Sequence, residues 1–211
     1  MIIDHTHPAY RAMLRTKNTK HNGAYYYSQE IVERLVPHIK TTRNWLTINT
    51  KGVCPDHTIV FIHNNKNPNN YNWLSGYKDL VLVCGVPETM EKVKHLGKTV
   101  YLPLSVDVED VKRYRREKDR YIAFVGRRAK RGGRLFDGAD LIENMPRPEL
   151  LTQMARYQKV YAVGRTAIEA KVLDCEVLPY DDRFPDPSRW KIYDTLDVVP
   201  LLQRELDIID K

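Results

Sequence analysis

The stretch KVYAVGRTAIEAKVLDCEVLPYD, residues 159–181, is the part of the sequence that decides the fold. Residues 160–163 form a short β-prone run that ends at Gly164, which predicts a buried parallel strand. Apolar residues then recur at helical spacing over 167–173, and residues 176–180 predict a second strand. A strand, a helix and a strand in so short a span predict a βαβ unit of an α/β fold.

In a βαβ unit a ligand binds at the carboxyl end of the strand, against the N-terminus of the helix. Gly164, Arg165 and Thr166 occupy that position, and Glu169 lies one turn further on. Glycine lets the backbone approach a ligand, a guanidinium binds phosphate, and a carboxylate accepts hydrogen bonds from sugar hydroxyls. The Thr166 hydroxyl is a candidate helix cap. A simpler interpretation, a capped helix with an exposed glutamate, fits the same spacing.

These residues resemble a known family. GRTAIEA at residues 164–170, followed by a break and VLPYD at 177–181, is similar to the donor-site signature of GT-B glycosyltransferases. The resemblance implies that Glu169 holds the nucleotide ribose or the sugar. Retaining members of the family carry a second glutamate before the ribose-binding one, and Tyr161 occupies that position here. The stereochemical outcome of transfer therefore stays open.

A second segment also resembles the donor domain of that family. Residues 121–126, YIAFVG, predict a strand that ends at Gly126, and Arg127 and Lys130 follow it. The resemblance implies that Gly126, Arg127 and Lys130 bind the diphosphate of the donor. Fixed cations at that point would stabilise the charge that develops on the leaving group without a metal ion. A basic surface loop, or a contact with nucleic-acid phosphates, explains the same residues.

The first half of the chain predicts a helix over residues 23–40 and strands over 45–48, 58–62 and 80–84. Residues 63–79 predict a long polar loop that contacts substrate. His63, where a strand ends, is a candidate general base for an acceptor hydroxyl, and a loop histidine that only hydrogen-bonds is the alternative. Residues 102–107, LPLSVD, resemble the end of the GT-B N-terminal domain.

Together the segments predict an α/β protein with two Rossmann-like halves that face a cleft, as in GT-B enzymes, with the C-terminal half shortened. Residues 1–107 are predicted to form an acceptor-side domain, and residues 108–211 a domain that binds the nucleotide-sugar. No metal site is predicted, because the histidines at positions 5 and 7 have no third ligand nearby in the sequence.

The composition limits the partners. The 211 residues carry a formal net charge of +7, which favours polyanions but is equally explained by solubility. No run of about eighteen apolar residues occurs, so no membrane span is predicted. No signal peptide is recognised, and three widely spaced cysteines suit a reducing compartment, so the predicted location is the cytoplasm of a bacterium or of a phage-infected host.

The resemblance therefore implies a metal-independent glycosyltransferase that uses a nucleotide-sugar as co-substrate and needs no cofactor. Size and charge suggest DNA or a cell-surface polymer precursor as the acceptor. One alternative is a non-catalytic protein on the same fold that binds a nucleotide or nucleic acid. Another is a phosphotransferase, although the sequence has no G-x-x-x-x-G-K-[ST] loop. The sequence makes no prediction of the oligomeric state.

Overall fold

The structure is a computed structural model that describes residues 23–47, 54–62, 68–126, 138–180 and 186–211. The chain divides into two compact units. The first unit comprises Met1–Pro103 and Thr195–Lys211, and the second comprises Leu104–Asp194. Within the described ranges, each unit has its own four-stranded parallel sheet. The predicted α/β class is confirmed.

The described part of the chain contains eight strands, with helices and helical turns before and between several of them. In chain order they are α1 (Gly23–Glu30), a π-helical turn (Ile31–Leu35), a 3-10 turn (Val36–His38), β1 (Asn44–Leu46), β2 (Thr58–Ile62), a 3-10 segment (Pro68–Gly76), β3 (Leu80–Cys84), α2 (Pro87–Val93), β4 (Lys98–Tyr101), α3 (Val108–Lys112), β5 (Arg120–Val125), β6 (Asp140–Ile142), α4 (Arg147–Met154), β7 (Tyr157–Tyr161), α5 (Arg165–Val172), β8 (Glu176–Leu178), a 3-10 turn (Pro187–Arg189) and α6 (Val199–Ile209).

The first sheet has the strand order β1-β2-β3-β4. Every residue of β2 and β3 is buried, and Val60 pairs with Leu82 at their centre. Continuous apolar runs are typical of parallel strands that are covered on both faces. The predicted bounds of these two strands, 58–62 and 80–84, are therefore those that the structure shows.

Part of the predicted polar loop contributes side chains to the hydrophobic core and is not a surface loop. Pro68–Gly76 forms a 3-10 segment, and its Tyr71 and Leu74 are buried in the core of the first unit. The composition of residues 63–79 hid this contribution, because two apolar side chains in a polar background do not give a periodic signal. Residues 63–67, with His63, lie outside the described ranges.

The chain returns to the first unit after Asp194. The apolar side chains of Leu202 and Leu206, one turn apart on α6, are both buried. Lys98 Nζ donates to the carbonyl of Ile209 over 3.1 Å, which fixes the end of this helix to β4. The predicted division at residues 107 and 108 differs from this grouping, because it assigned α6 to the second half.

The second sheet has the strand order β6-β5-β7-β8, with all neighbours parallel. The chain runs from β5 to one neighbour, β6, and then returns past β5 to the other, β7. Strand order therefore reverses between β5 and β7. No helix in the described part of the chain is long and apolar enough to cross a membrane.

Candidate functional site

The reversal of strand order marks a candidate site in the second unit. In open α/β sheets, ligands bind beyond the carboxyl ends of the strands at the point where the order reverses. Phe124 on β5 is in register with Tyr161 on β7, so the two strands end side by side. Gly126 follows the first strand and Gly164 follows the second. The structure therefore brings two of the predicted donor-binding glycines to adjacent strand ends.

Gly126 is fixed by both conformation and space. Its φ is +150°, which L side chains rarely adopt, and a Cβ there would lie 2.5 Å from Tyr180 Oη. Tyr180 is buried, stacks on Phe124 with ring centroids 4.9 Å apart, and donates a hydrogen bond to the Val125 carbonyl. Burial raises the pKa of the Tyr180 hydroxyl, so it remains a donor at neutral pH. Both the backbone conformation and the contact with Tyr180 therefore require glycine at position 126.

Gly164 turns the chain from β7 into α5. Its φ of +63° with ψ of −139° is accessible to glycine and strained for other residues. The nearest atom to a Cβ there would be Leu104 Cδ1 at 3.9 Å, so the requirement for glycine is conformational. Gly164 itself is the N-cap, and no side chain caps the helix. The predicted capping role of Thr166 was therefore wrong: Thr166 lies within the first turn, past the position from which a hydroxyl caps.

Glu169 is buried on α5, with 6% of its surface exposed. Arg147 Nε, at the start of α4, donates to Glu169 Oε1 over 2.8 Å. The same guanidinium donates from Nη1 to Asp110 Oδ2 over 2.9 Å, so it joins α3, α4 and α5. The interpretation of Glu169 as an exposed residue on a capped helix is thus wrong. The carboxylate is held in one orientation by a charged hydrogen bond.

Arg165 lies close to the same carboxylate. Its Nη2 is 3.9 Å from Glu169 Oε1, an ion pair that is too long to be a hydrogen bond. Both arginines therefore face Oε1, and no side chain in the described ranges donates to Oε2. The four charges of Arg147, Arg165, Asp110 and Glu169 cancel. A diphosphate bound here would need further cations.

Sequence reasoning missed Arg147 and Asp110. Each lies in a separate helix, and Arg147 is 22 residues from its partner Glu169. No spacing rule connects residues that meet only because two helices pack against each other. The position of Arg147 at the start of a helix that runs from a strand end was the only local signal.

Several predicted residues lie outside the described ranges. They are His63, Arg127 and Lys130; the histidines at positions 5 and 7, at which no metal site is predicted, also lie outside these ranges. The described residues contain no group of three or more histidine, cysteine, aspartate or glutamate side chains that could hold a metal ion. The predicted diphosphate and base roles stay predictions.

The first unit has a different cluster of polar side chains, which lies at the amino-terminal ends of its own strands. His57 Nδ1 lies 2.5 Å from Asp79 Oδ2, and His57 Nε2 lies 3.2 Å from the Thr42 hydroxyl. Arg43, which is 3% exposed, also binds Asp79 and pairs with Asp210. About four-tenths of the His57 and Asp79 side chains is exposed. Since these residues precede β1, β2 and β3, the contacts tie the strand starts together.

Comparisons of this chain with protein-family models, with curated proteins and with solved structures find no match. Function is therefore inferred from the chemistry of the site, since a fold alone does not fix it.

Proposed function

We propose that this chain is a GT-B-type glycosyltransferase that binds its nucleotide-sugar at the carboxyl edge of the second sheet. One observation carries the proposal: Gly126 and the segment from Gly164 to Glu169 follow adjacent strands where the strand order reverses. Glycine backbone and the start of a helix suit a phosphate group there. The GT-B assignment of the two sheets is part of the proposal.

In the proposed reaction, the bond between the anomeric carbon of the sugar and the diphosphate oxygen breaks. The diphosphate leaves with the electron pair, and the acceptor oxygen bonds to the carbon and loses its proton to a base. His63 is the residue we propose as that base. Since the four charges around Glu169 cancel, we assign stabilisation of the leaving diphosphate chiefly to Arg127 and Lys130.

Glu169 is the proposed contact for hydroxyl groups of the donor. Its Oε1 receives the hydrogen bond from Arg147, which leaves Oε2 to accept from a ligand hydroxyl. An orientation fixed by an ion pair reduces the entropy that ligand binding would otherwise cost. A buried, oriented Glu169 carboxylate is better explained by recognition of a ligand than by the solvation of an exposed side chain.

The net charge of +7 supports an anionic acceptor, and we propose DNA or a cell-surface polymer precursor. A non-catalytic nucleotide-binding protein is the second candidate. Tyr161 favours it, because this residue stands where retaining enzymes of the resembling family carry a glutamate.

An assay of nucleoside diphosphate release separates the two candidates. UDP-, GDP- and TDP-sugars are each offered with water, with short duplex DNA and with a lipid-linked sugar as the acceptor. An enzyme releases the diphosphate and loses that activity in Glu169→Ala. Glu149→Gln, a change at an exposed acid on the neighbouring helix α4, is the matched control and keeps it. Tight binding of the sugar nucleotide without release favours the non-catalytic candidate.

A further inference from the structure

Glu143 lies at the same edge of the second sheet and was not among the predicted site residues. It directly follows Ile142, the last residue of β6, which is in register with Val125 on β5. The Ile142 carbonyl accepts a hydrogen bond from Gly126 N over 3.1 Å. Glu143 therefore leaves the sheet one residue beyond the backbone contact with Gly126. The ends of β6, β5 and β7 stand next to one another in that order.

The Glu143 carboxylate has an oxygen that needs a donor. Oε2 is buried, with less than 1 Å² accessible, and no group in the described part of the chain donates a hydrogen bond to it. This differs from Glu169, whose buried carboxylate receives a hydrogen bond from Arg147. A buried carboxylate oxygen without a donor is unfavourable, and each such group calls for an explanation. A ligand hydroxyl would supply the missing donor when the Glu143 side chain, which is half-buried as a whole, rotates to bring Oε2 to this edge of the sheet.

We propose that Glu143 accepts hydrogen bonds from the ribose 2′- and 3′-hydroxyls of the nucleotide. This inference rests on the proposed function, since it takes the nucleotide to lie over Gly126. In dinucleotide-binding βαβ units, the phosphate lies on the first turn and an acidic residue roughly 20 residues further on binds the ribose. Glu143 directly follows β6, the next described strand after Gly126, and stands at about that separation.

The proposal divides the work between two glutamates. Glu143, on the β6 side of Gly126, binds the ribose, and Glu169, on the β7 side, is left to bind the hydroxyls of the transferred sugar. A carboxylate that accepts from the 2′-hydroxyl selects ribonucleotides over 2′-deoxyribonucleotides. The donor is therefore a ribonucleoside diphosphate sugar, and a 2′-deoxy donor such as a dTDP-sugar is disfavoured.

The test is a binding comparison by titration calorimetry with UDP and GDP, each against its 2′-deoxy counterpart. We expect the wild-type protein to bind the ribonucleotide at least about tenfold more tightly, the factor for one hydrogen bond to a charged group. Glu143→Ala removes this preference. Because it also removes the contact with the 3′-hydroxyl, it weakens binding of the deoxynucleotide as well, but less than binding of the ribonucleotide. Glu143→Gln, which keeps one acceptor oxygen, retains part of it. Glu169→Gln and the control Glu149→Gln both retain the full preference.

Two results overturn this inference and leave the proposed function standing. One is equal affinity of the wild-type protein for the ribo- and deoxynucleotide. The other is a preference that survives in Glu143→Ala. A failure of every nucleotide to bind the wild-type protein overturns the proposed function as well, so the two failures are distinguishable.

A second readout addresses folding. Because Oε2 has no donor in the described ranges, Glu143→Ala is expected to melt at or above the wild-type temperature without ligand. A melting temperature several degrees lower would show that Glu143 serves the fold through a protein partner, and would overturn the ligand role.

Discussion

Replacement of Gly126 by alanine tests how the edge of the second sheet is built. The new Cβ would lie 2.5 Å from Tyr180 Oη, closer than such atoms approach in proteins. Tyr180 must then move, and its hydrogen bond to the Val125 carbonyl is lost. A buried carbonyl left without its donor costs about 1–3 kcal/mol. The φ of +150° adds strain of about 1–3 kcal/mol for a residue with a side chain.

We therefore expect Gly126→Ala to lower the free energy of unfolding by about 2–6 kcal/mol, a large part of the stability of a typical domain. Urea unfolding followed by circular dichroism measures the change through the midpoint at constant m. Gly138→Ala is the matched control. Its φ of +73° imposes comparable backbone strain, but nothing lies within 4 Å of its Cβ. It should cost only the strain.

The double variant with Tyr180→Phe separates the two contributions. Tyr180→Phe alone loses the hydrogen bond to Val125 and leaves the ring stacked on Phe124. Each single variant loses the hydrogen bond from Tyr180 to Val125, so its loss is counted in both single effects but only once in the double variant. The double variant also lacks the clash with the hydroxyl. The cycle should therefore give a coupling of about 1–2 kcal/mol. Additive effects of the two changes would refute the contact between Gly126 and Tyr180.

Three further predictions concern the first unit. Burial raises the pKa of the Cys84 thiol to about 12, so the unfolded chain gives up this proton at a lower pH than the folded protein does. The contribution of the neutral thiol to folding stability is therefore complete below pH 9 and is lost as the pH rises towards 12. Melting at pH 7–11 should show that loss, and Cys84→Ala should flatten it. Hydrogen bonds from His57 and then Arg43 lower the pKa of Asp79, so stability falls as pH drops below about 4, and acid titration of Asp79→Asn should show a shallower fall. Gly97→Ala would place a Cβ 2.6 Å from a backbone carbonyl of β3 and should lower the free energy of unfolding in urea by about 2 kcal/mol or more, whereas an unchanged midpoint would contradict that contact.

The sequence predicted the parts of the fold that local pattern controls. Continuous apolar runs placed β2 and β3 to the residue, and glycine after an apolar run located the end of β5. The second strand at the candidate site, predicted over residues 160–163, is β7 and ends at Tyr161. These signals are reliable because a strand buried on both faces requires apolar side chains, and a backbone position with positive φ favours glycine. The burial of Tyr71 and Leu74 and the return of α6 to the first unit depend on distant packing partners, so local pattern did not predict them.

At the candidate site, too, local pattern predicted some residues and packing between distant segments determined the others. Glu169 was selected by its place in the βαβ unit, whereas Arg147, which orients it, is defined only by the packing of α4 on α5. Glu143 also gave no sequence signal, because its distinguishing property is an oxygen that is buried without a donor. Burial of a single atom follows from the assembled sheet and its covering helices. Thr166 shows the converse case, in which a residue suited to capping lies two positions past the N-cap.

The measurement that tests the central claim most directly is a thermal melt of the wild-type protein with UDP, GDP, TDP and CMP and their sugar conjugates. A nucleotide at a hundredfold excess over its dissociation constant stabilises the folded state by about 2.7 kcal/mol, which raises the melting temperature by several degrees. We predict that at least one nucleotide does so, that Glu169→Gln reduces the shift and that Glu149→Gln leaves it unchanged. If no nucleotide shifts the melt while short duplex DNA does, the donor site at the second sheet is contradicted.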